Sequence, residues 1–253
     1  MFYFYKMKKS YFNWSSGKDS SLALYKVLQE KKYSVEKLIT NVNKDYQRVS
    51  MHGLHESLLI AQADSIGIPL EKIEFPANVT MDLYNQKMKE KTAELKSLGL
   101  ETAIFGDIFL EDLRNYRDTK LQEVGITGVY PLWKNNTKEL LREFLNLGFK
   151  TITVCVNAKK LGEEFVGRII DENFINDLPN DVDVCGENGE FHTFCYDGPI
   201  FKKPIKFSIG EKVLKSYTLN DDDSDNCHQN KEEENNKNYD TSFWYCDLKL
   251  INE

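Results

Sequence analysis

The hydrophobic positions of this chain change period several times, and the changes outline a layered α/β protein. Tyr11, Phe12 and Trp14 form a short apolar run. An amphipathic stretch begins at Asp19, with Leu24, Val27 and Leu28 at helical spacing. Val35 to Val42 predicts a strand, and Leu59, Ala63 and Ile66 mark a helix face that stops at Gly67 ahead of Pro69. Leu70 to Phe75 predicts another strand; Met81, Tyr84, Met88, Leu95 and Leu98 predict a helix stopped by Gly99. Thr102 to Phe105 reads as a short buried strand running into Gly106 and Asp107. Leu140, Leu141, Phe144 and Leu145 then predict a helix, and Thr151 to Val156 a strand. Strands alternating with helices predict a parallel sheet covered on both faces. The methionine and leucine stripes face its core, and no internal repeat is visible.

The last part of the chain reads differently. Lys206 to Ile209 with Val213 and Leu214, and Phe243 to Cys246 with Leu248 and Leu250, both alternate as strands do. Between them, residues 220–240 hold eight acidic and two basic residues and almost nothing apolar. That composition predicts a disordered, solvated insertion at the tip of a hairpin. It also accounts for six of the seven net negative charges, leaving 232 residues that sum to about −1, with no basic footprint for nucleic acid. Cys227 and His228 within it are too few for a metal site.

A chain of 253 residues can hold one large domain or two modest ones. Its five cysteines (Cys155, Cys185, Cys195, Cys227 and Cys246) contain no Cys-x-x-Cys pair, which argues against a disulfide framework, a zinc site and an iron–sulfur cluster. Small buried hydrophobe is the role expected of most of them. No apolar run is long enough to span a bilayer. The opening segment places its apolar residues before its charges, the reverse of a signal peptide, so a cytoplasmic enzyme with Met7 as natural start is the expectation.

Chemistry concentrates first between the opening strand and helix. Ser15, Ser16, Gly17, Lys18, Asp19 and Ser20 combine hydroxyl donors, one glycine and a cation at a helix N-terminus, a ready anion site. It is not a Walker A loop, since Phe12 stands where the first glycine belongs and Asp19 follows Lys18. The dinucleotide fingerprint of three spaced glycines is missing as well. What remains resembles the PP-loop of the ATP pyrophosphatases, Ser-Gly-Gly-x-Asp-Ser/Thr, with Ser16 in place of the first glycine. The turn keeps its form there if the position needs no positive φ. A serine-rich turn without function is the alternative.

Other strand ends add candidates, because ligands of open α/β sheets sit outside the carboxyl ends of the strands. Gly106 allows close approach, and Asp107 can meet a ribose, an adenine amine or magnesium, or else cap the following turn. His52 and His55, three apart, suggest either a metal pair or a helix-entry turn with one histidine near the nucleotide; the second reading is preferred for want of a third ligand. Downstream, Cys185 to Phe194 packs Glu187, Glu190, Asn188, two glycines and His192 ahead of an alternating strand. These carboxylates can bind magnesium, bind ammonium or act as a base. An ordinary polar hairpin turn fits the same residues.

Taken in order, the motifs carry a wider resemblance. The loop at Ser15–Ser20, Gly106–Arg114, Tyr130–Trp133, Gly167–Asp171, Gly186–Thr193 and Asp197–Pro199 are similar in sequence and order to the diphthine–ammonia ligase family. The resemblance covers nearly the whole chain outside the acidic insertion. It implies an α/β fold of the adenine nucleotide alpha hydrolase (HUP) type, with a parallel sheet between helices, plus a smaller C-terminal α+β domain. On that basis residues 1–132 form the ATP-binding domain and 133–253 the substrate domain. The implied reaction is adenylation of a carboxylate by ATP and Mg2+, with release of pyrophosphate, then displacement of AMP by ammonia. By the same resemblance Ser15, Ser16, Gly17, Lys18 and Ser20 hold pyrophosphate, and His52, Gly106 and Asp107 lie at the nucleotide. Asp19 orients the loop or a magnesium-bound water. Glu187 and Glu190 bind ammonium or take its proton, helped by His192, with Asn188, Gly189, Phe191 and Thr193 lining the substrate side. The implied partner is diphthine on elongation factor 2, and a homodimer is allowed. Two further readings stay open: a tRNA-modifying adenylase of the same superfamily, and an ATP-sensing module without turnover.

Overall fold

The computed structural model describes residues 7–50, 52–217 and 241–251. Residues 1–6 and the acidic insertion 220–240, on which two of the expectations above fall, lie outside them. The first half is an α/β unit. Strand β1 (Lys8–Asn13) leads into helix α1 (Lys18–Glu30), then β2 (Tyr33–Asn43), the two-residue β3 (Arg48–Val49), α2 (Glu56–Ile66) and β4 (Leu70–Phe75). Helix α3 (Met81–Ser97), β5 (Thr102–Ile104), α4 (Glu111–Glu123) and β6 (Thr127–Val129) complete it. The strands pair in parallel in the order β4-β2-β1-β5-β6, and β3 adds a short antiparallel step to β2.

Side-chain alternation along these strands feeds two apolar layers. Phe12, Leu38, Val42 and Ile104 pack with Leu22, Leu24 and Val27 of α1 and Leu58, Leu59 and Ala63 of α2. Tyr11, Ile39, Ile73, Phe75 and Ala103 point the other way, onto Leu95 of α3 and Leu121 of α4. Neighbouring residues of one strand thus serve opposite faces, as the pleat requires. Both faces are covered, as a parallel sheet needs.

The second half is built on an antiparallel sheet. After α5 (Thr137–Asn146) come β7 (Lys150–Asn157), the short α6 (Glu172–Asp177), β8 (Phe191–Asp197), β9 (Phe207–Tyr217) and β10 (Thr241–Leu250). The sheet order is β8-β7-β10-β9. The strands flanking the acidic insertion pair as a hairpin, with Tyr217 opposite Thr241 at its distal end. The Thr151–Val156 strand joins this sheet and not the parallel one. The core of the first layer continues without a break through Phe144 of α5, Phe149, and Ile152, Phe191 and Phe194 of the second sheet. Cys155, Cys185, Cys195 and Cys246 are buried free thiols, and burial pushes Cys155 and Cys195 up to about 12, so they serve as apolar filling. No helix of the described residues is long and apolar enough to cross a membrane.

Strand order reverses between β1 and β5, and the loops leaving their carboxyl ends face one crevice. That is where Ser15–Ser20 and Gly106–Asp107 meet.

Candidate active site

Helix α1 starts one residue earlier than its apolar spacing suggests, at Lys18, with Gly17 in extended conformation at the cap and no side chain of its own closing the first turn. Helices α3 and α5 differ: Thr80 and Asn136 accept bonds from their first-turn amides. The α1 N-terminus therefore turns its first-turn amides and the positive end of the helix dipole toward the crevice, with no cap from its own side chains. Gly106 is the floor of that space. A Cβ there would lie 2.9 Å from the Ser20 amide nitrogen and 3.1 Å from the Asp19 carbonyl carbon. Only glycine lets the two loops approach this closely and keeps the cradle open.

The loop itself is rigid by its contacts. The Ser15 and Ser20 hydroxyls lie 2.6 Å apart, and the Ser15 amide donates to Ser20 Oγ at 3.3 Å. Ser16 has φ of +68°, so the position does require the left-handed conformation that glycine takes at no cost. Its hydroxyl is buried without a hydrogen-bond partner among the described residues. The Lys18 amide donates to Thr193 Oγ1 at 3.0 Å, and the Cys195 amide donates to the Ser16 carbonyl at 2.9 Å. Strand β8 is thus laid directly along the loop.

Lys18 is only 3% exposed. Its ammonium pairs with Asp19 at 2.6 Å and donates to the Cys185 carbonyl of the second unit. Burial disfavours its charge, but Asp19, Cys185 and Glu187 together outweigh it and the pKa ends above the ordinary lysine value. Burial also pushes the Asp19 carboxyl upward, against the pull of Lys18. The cation is therefore held at the junction of the two units.

The segment Cys185–Thr193 divides into distinct jobs. Glu187 reaches back to the α/β unit and accepts from the Ile108 amide at 2.8 Å and the Phe109 amide at 3.4 Å. Burial, then the charge of Asp19, raises its pKa to about 7. Glu190 is buried and accepts from the Asp183 amide at 3.1 Å, the Asn188 amide at 2.9 Å and Asn188 Nδ2 at 3.0 Å. These bonds fold the segment onto itself and leave Glu190 and Asn188 facing each other. Asp183 supports the same turn by accepting from the amides of Cys185 and Glu187. Gly189 is open around its Cα, whereas a Cβ on Gly186 would meet the Phe191 carbonyl at 2.8 Å. Phe191 is core, edge-on to Phe174 at 5.5 Å.

The two histidines singled out from different segments come together. The rings of His52 and His192 lie 4.9 Å apart. Burial, helped by His192, lowers the His52 pKa to about 3, so its ring is neutral, and its Nδ1 is buried without a partner among the described residues. His55 does not join them: its Nδ1 caps α2 by accepting from the Ser57 amide at 3.2 Å. Asp107 does not cap the next helix but pairs with Arg117, whose guanidinium lies 4.7 Å over the Phe105 ring. Arg114 lies over both Tyr130 (4.7 Å) and Trp133 (4.5 Å), which ties the Gly106–Arg114 and Tyr130–Trp133 motifs into one wall.

Sequence reasoning passed over Gln62, Asp183 and the arginines of that wall. For Gln62 a signal was present: it sits among Leu58, Leu59, Ala63 and Ile66 on the buried stripe of α2, where an amide is out of place. Asp183 and the arginines offered none, being ordinary polar residues near turns and on an exposed helix.

Comparison with known proteins fits this geometry. Residues 7–128 match the family model of the diphthamide synthase N-terminal domain, and residues 136–220 that of the diphthamide synthase C-terminal domain. The diphthine–ammonia ligase of Homo sapiens is 36% identical over 184 residues, 68% of this chain and 68% of the human protein. That of Mus musculus is 28% identical over 187 residues, again 68% of each. That of Rattus norvegicus is 36% identical over 90 residues, 34% of each chain.

Proposed function

Because the chain belongs to the diphthine–ammonia ligase family of enzymes, we propose that it activates a carboxylate with ATP and amidates it with ammonia, releasing AMP and pyrophosphate. The carboxylate is that of diphthine, the substrate in its relatives' name, carried on elongation factor 2 as the family resemblance implies. One observation carries the reading: the N-terminus of α1, without a cap from its own side chains and floored by Gly106, lies under the segment that brings in Glu187.

A free carboxylate is a poor acyl donor, because its leaving group would be oxide. Attack of the carboxylate on the α-phosphate of ATP gives an acyl-adenylate and expels pyrophosphate, and ammonia then displaces AMP to leave an amide. The amides of Ser16, Gly17 and Ser20 and the hydroxyls of Ser15 and Ser20 receive the pyrophosphate as its charge develops. Lys18 holds the loop to the second unit through Cys185 and adds its field to the same place. Glu187, with a pKa near the working pH, takes the proton that the ammonia nitrogen sheds on forming the amide. Glu190 and Asp183 hold Glu187 in place through the turn they close. His52, kept neutral by burial, offers its Nδ1 to the nucleotide or the substrate, with the His192 ring beside it. For Mg2+ the donor set fits: Asp19 is a carboxylate beside a phosphate cradle, and magnesium is commonly held by one or two carboxylates together with substrate phosphates. Bound there, it would neutralise phosphate charge.

The decisive experiment uses the purified protein with ATP, magnesium, ammonium chloride and diphthine-bearing elongation factor 2. AMP and pyrophosphate in equal amounts with amide on the factor are expected, and Asp19→Ala abolishes both. Release of ADP, or binding of ATP with no turnover, would overturn the proposal.

A further inference from the structure

Gln62 is fully buried on α2, and its carboxamide makes three hydrogen bonds, all to groups that frame the phosphate loop. Oε1 accepts from the Trp14 indole nitrogen at 2.9 Å. Nε2 donates to the Ser16 carbonyl at 3.0 Å and to the Cys195 carbonyl at 2.6 Å. An indole N–H only donates and a carbonyl only accepts, so the amide has one allowed orientation. Four elements thus meet on one side chain: the end of β1, the loop, α2 and β8.

Ser16 is where this matters. It is the loop residue in the left-handed region, and its carbonyl takes two donors, from Gln62 and from the Cys195 amide. A non-glycine residue held in that region is strained and persists only where its surroundings over-determine it. We propose that Gln62 is a positioning residue for ATP binding, which locks Ser16 in its left-handed form and so keeps the phosphate loop preformed against β8. The inference rests on the assignment of Ser15–Ser20 as the ATP phosphate loop. It explains why a serine is tolerated where the loop pattern has glycine: the lock supplies what glycine would give by conformational freedom. Without the lock the competent loop becomes a minor state, and apparent affinity falls in proportion to its population.

Binding of magnesium-ATP to the full-length chain by titration calorimetry, with thermal unfolding alongside, tests the proposal. Gln62→Met keeps length and burial but removes all three bonds; it is expected to weaken ATP binding about tenfold while unfolding stays cooperative. Adding Ser16→Gly makes the left-handed form free of cost and is expected to restore affinity to within about threefold of wild type. A merely structural glutamine would show no such rescue. Undiminished affinity in Gln62→Met, or an equal loss in the double variant, overturns the proposal. Should Gln62→Met alone fail to fold, the double variant decides: recovery of folding and affinity supports the lock, and failure of either overturns it. Absence of ATP binding in the wild-type chain would instead defeat the loop assignment, and the proposal with it.

Discussion

Ser16 concentrates two costs in one residue, a left-handed backbone and a buried hydroxyl without a partner. Ser16→Gly removes both. The backbone term is about 1 kcal/mol or more and the stranded hydroxyl about 1–3 kcal/mol, offset by about 0.5–1 kcal/mol of added freedom in the unfolded glycine. The variant is therefore expected to be more stable by about 1–2 kcal/mol, seen as a rise of several degrees in Tm for a chain of this size. A lower Tm would show that the hydroxyl has a bonding role. Gly106 is the opposite case, a position where the missing side chain is the function. Gly106→Ala drives a methyl into the Ser20 backbone, which cannot swing aside as a side chain tip would. The α1 N-terminus must retreat, with a stability loss of about 1–3 kcal/mol. Loss of AMP formation in a still folded protein is the expected result, and full activity would remove Gly106 from the site.

At the scale of elements, the strands and helices with strong apolar periods were legible. Residues such as Phe12, Leu24, Leu38 and Leu59 carry both the pattern and the core. Helix α4 and strand β6 were not, for a physical reason. Helix α4 fully buries only Leu121, and most of its other residues are charged or polar, so no stripe announces it. Strand β6 is three residues long with a glycine at its centre. The membership of β7 was equally hidden, because an apolar run reads the same in a parallel sheet and an antiparallel one. At the site, the loop and the Cys185–Thr193 segment stood out by composition, yet the meeting of His52 with His192 depends on pairing 140 positions apart and left no local trace. Within that segment Glu190 is the hub. Glu190→Gln replaces one acceptor oxygen with a donor facing N–H groups from Asp183 and Asn188. Losing bonds to a charged acceptor costs about 1.5–3 kcal/mol each, and the turn carrying Glu187 should loosen. Reduced amide formation with ATP binding intact is the expected signature, readable as kcat lost without a change in KM for ATP.

Across the whole molecule, the buried His52 and the half-buried Glu187 make stability depend on pH in opposite senses. His52 has its folded pKa depressed to about 3, so the stability it contributes is present above its unfolded value of 6.5 and is lost as pH falls toward 3. Glu187 has its folded pKa raised to about 7 from 4.5, so its contribution is present below 4.5 and lost as pH rises through 7. Between 4.5 and 6.5 one group gains what the other loses, each by at most about 1.4 kcal/mol per pH unit, and their joint effect is nearly flat. Glu187→Gln breaks the balance. The neutral amide still offers an oxygen to the Ile108 and Phe109 amides, so the bridge between the two units survives while the buried charge beside Asp19 is gone. Denaturant unfolding of variant and wild type at a series of pH values cancels every group they share. The difference should vanish at pH 4, grow through the interval 4.5–7 and level off above it with the variant the more stable. Its ceiling is about 3 kcal/mol, and the solvent at the partly exposed carboxylate brings the expected value to about 1–2 kcal/mol. Because Glu187 and Asp19 titrate as a pair, the midpoint of that rise belongs to both. If the variant is equally stable at pH 8, or less stable, Glu187 is ionised in the folded protein without penalty and is too weak a base at neutral pH for the proton transfer assigned to it. If the variant is stabilised above pH 7 and makes AMP but no amide, one carboxylate bears both the cost of joining the two units and the proton from ammonia.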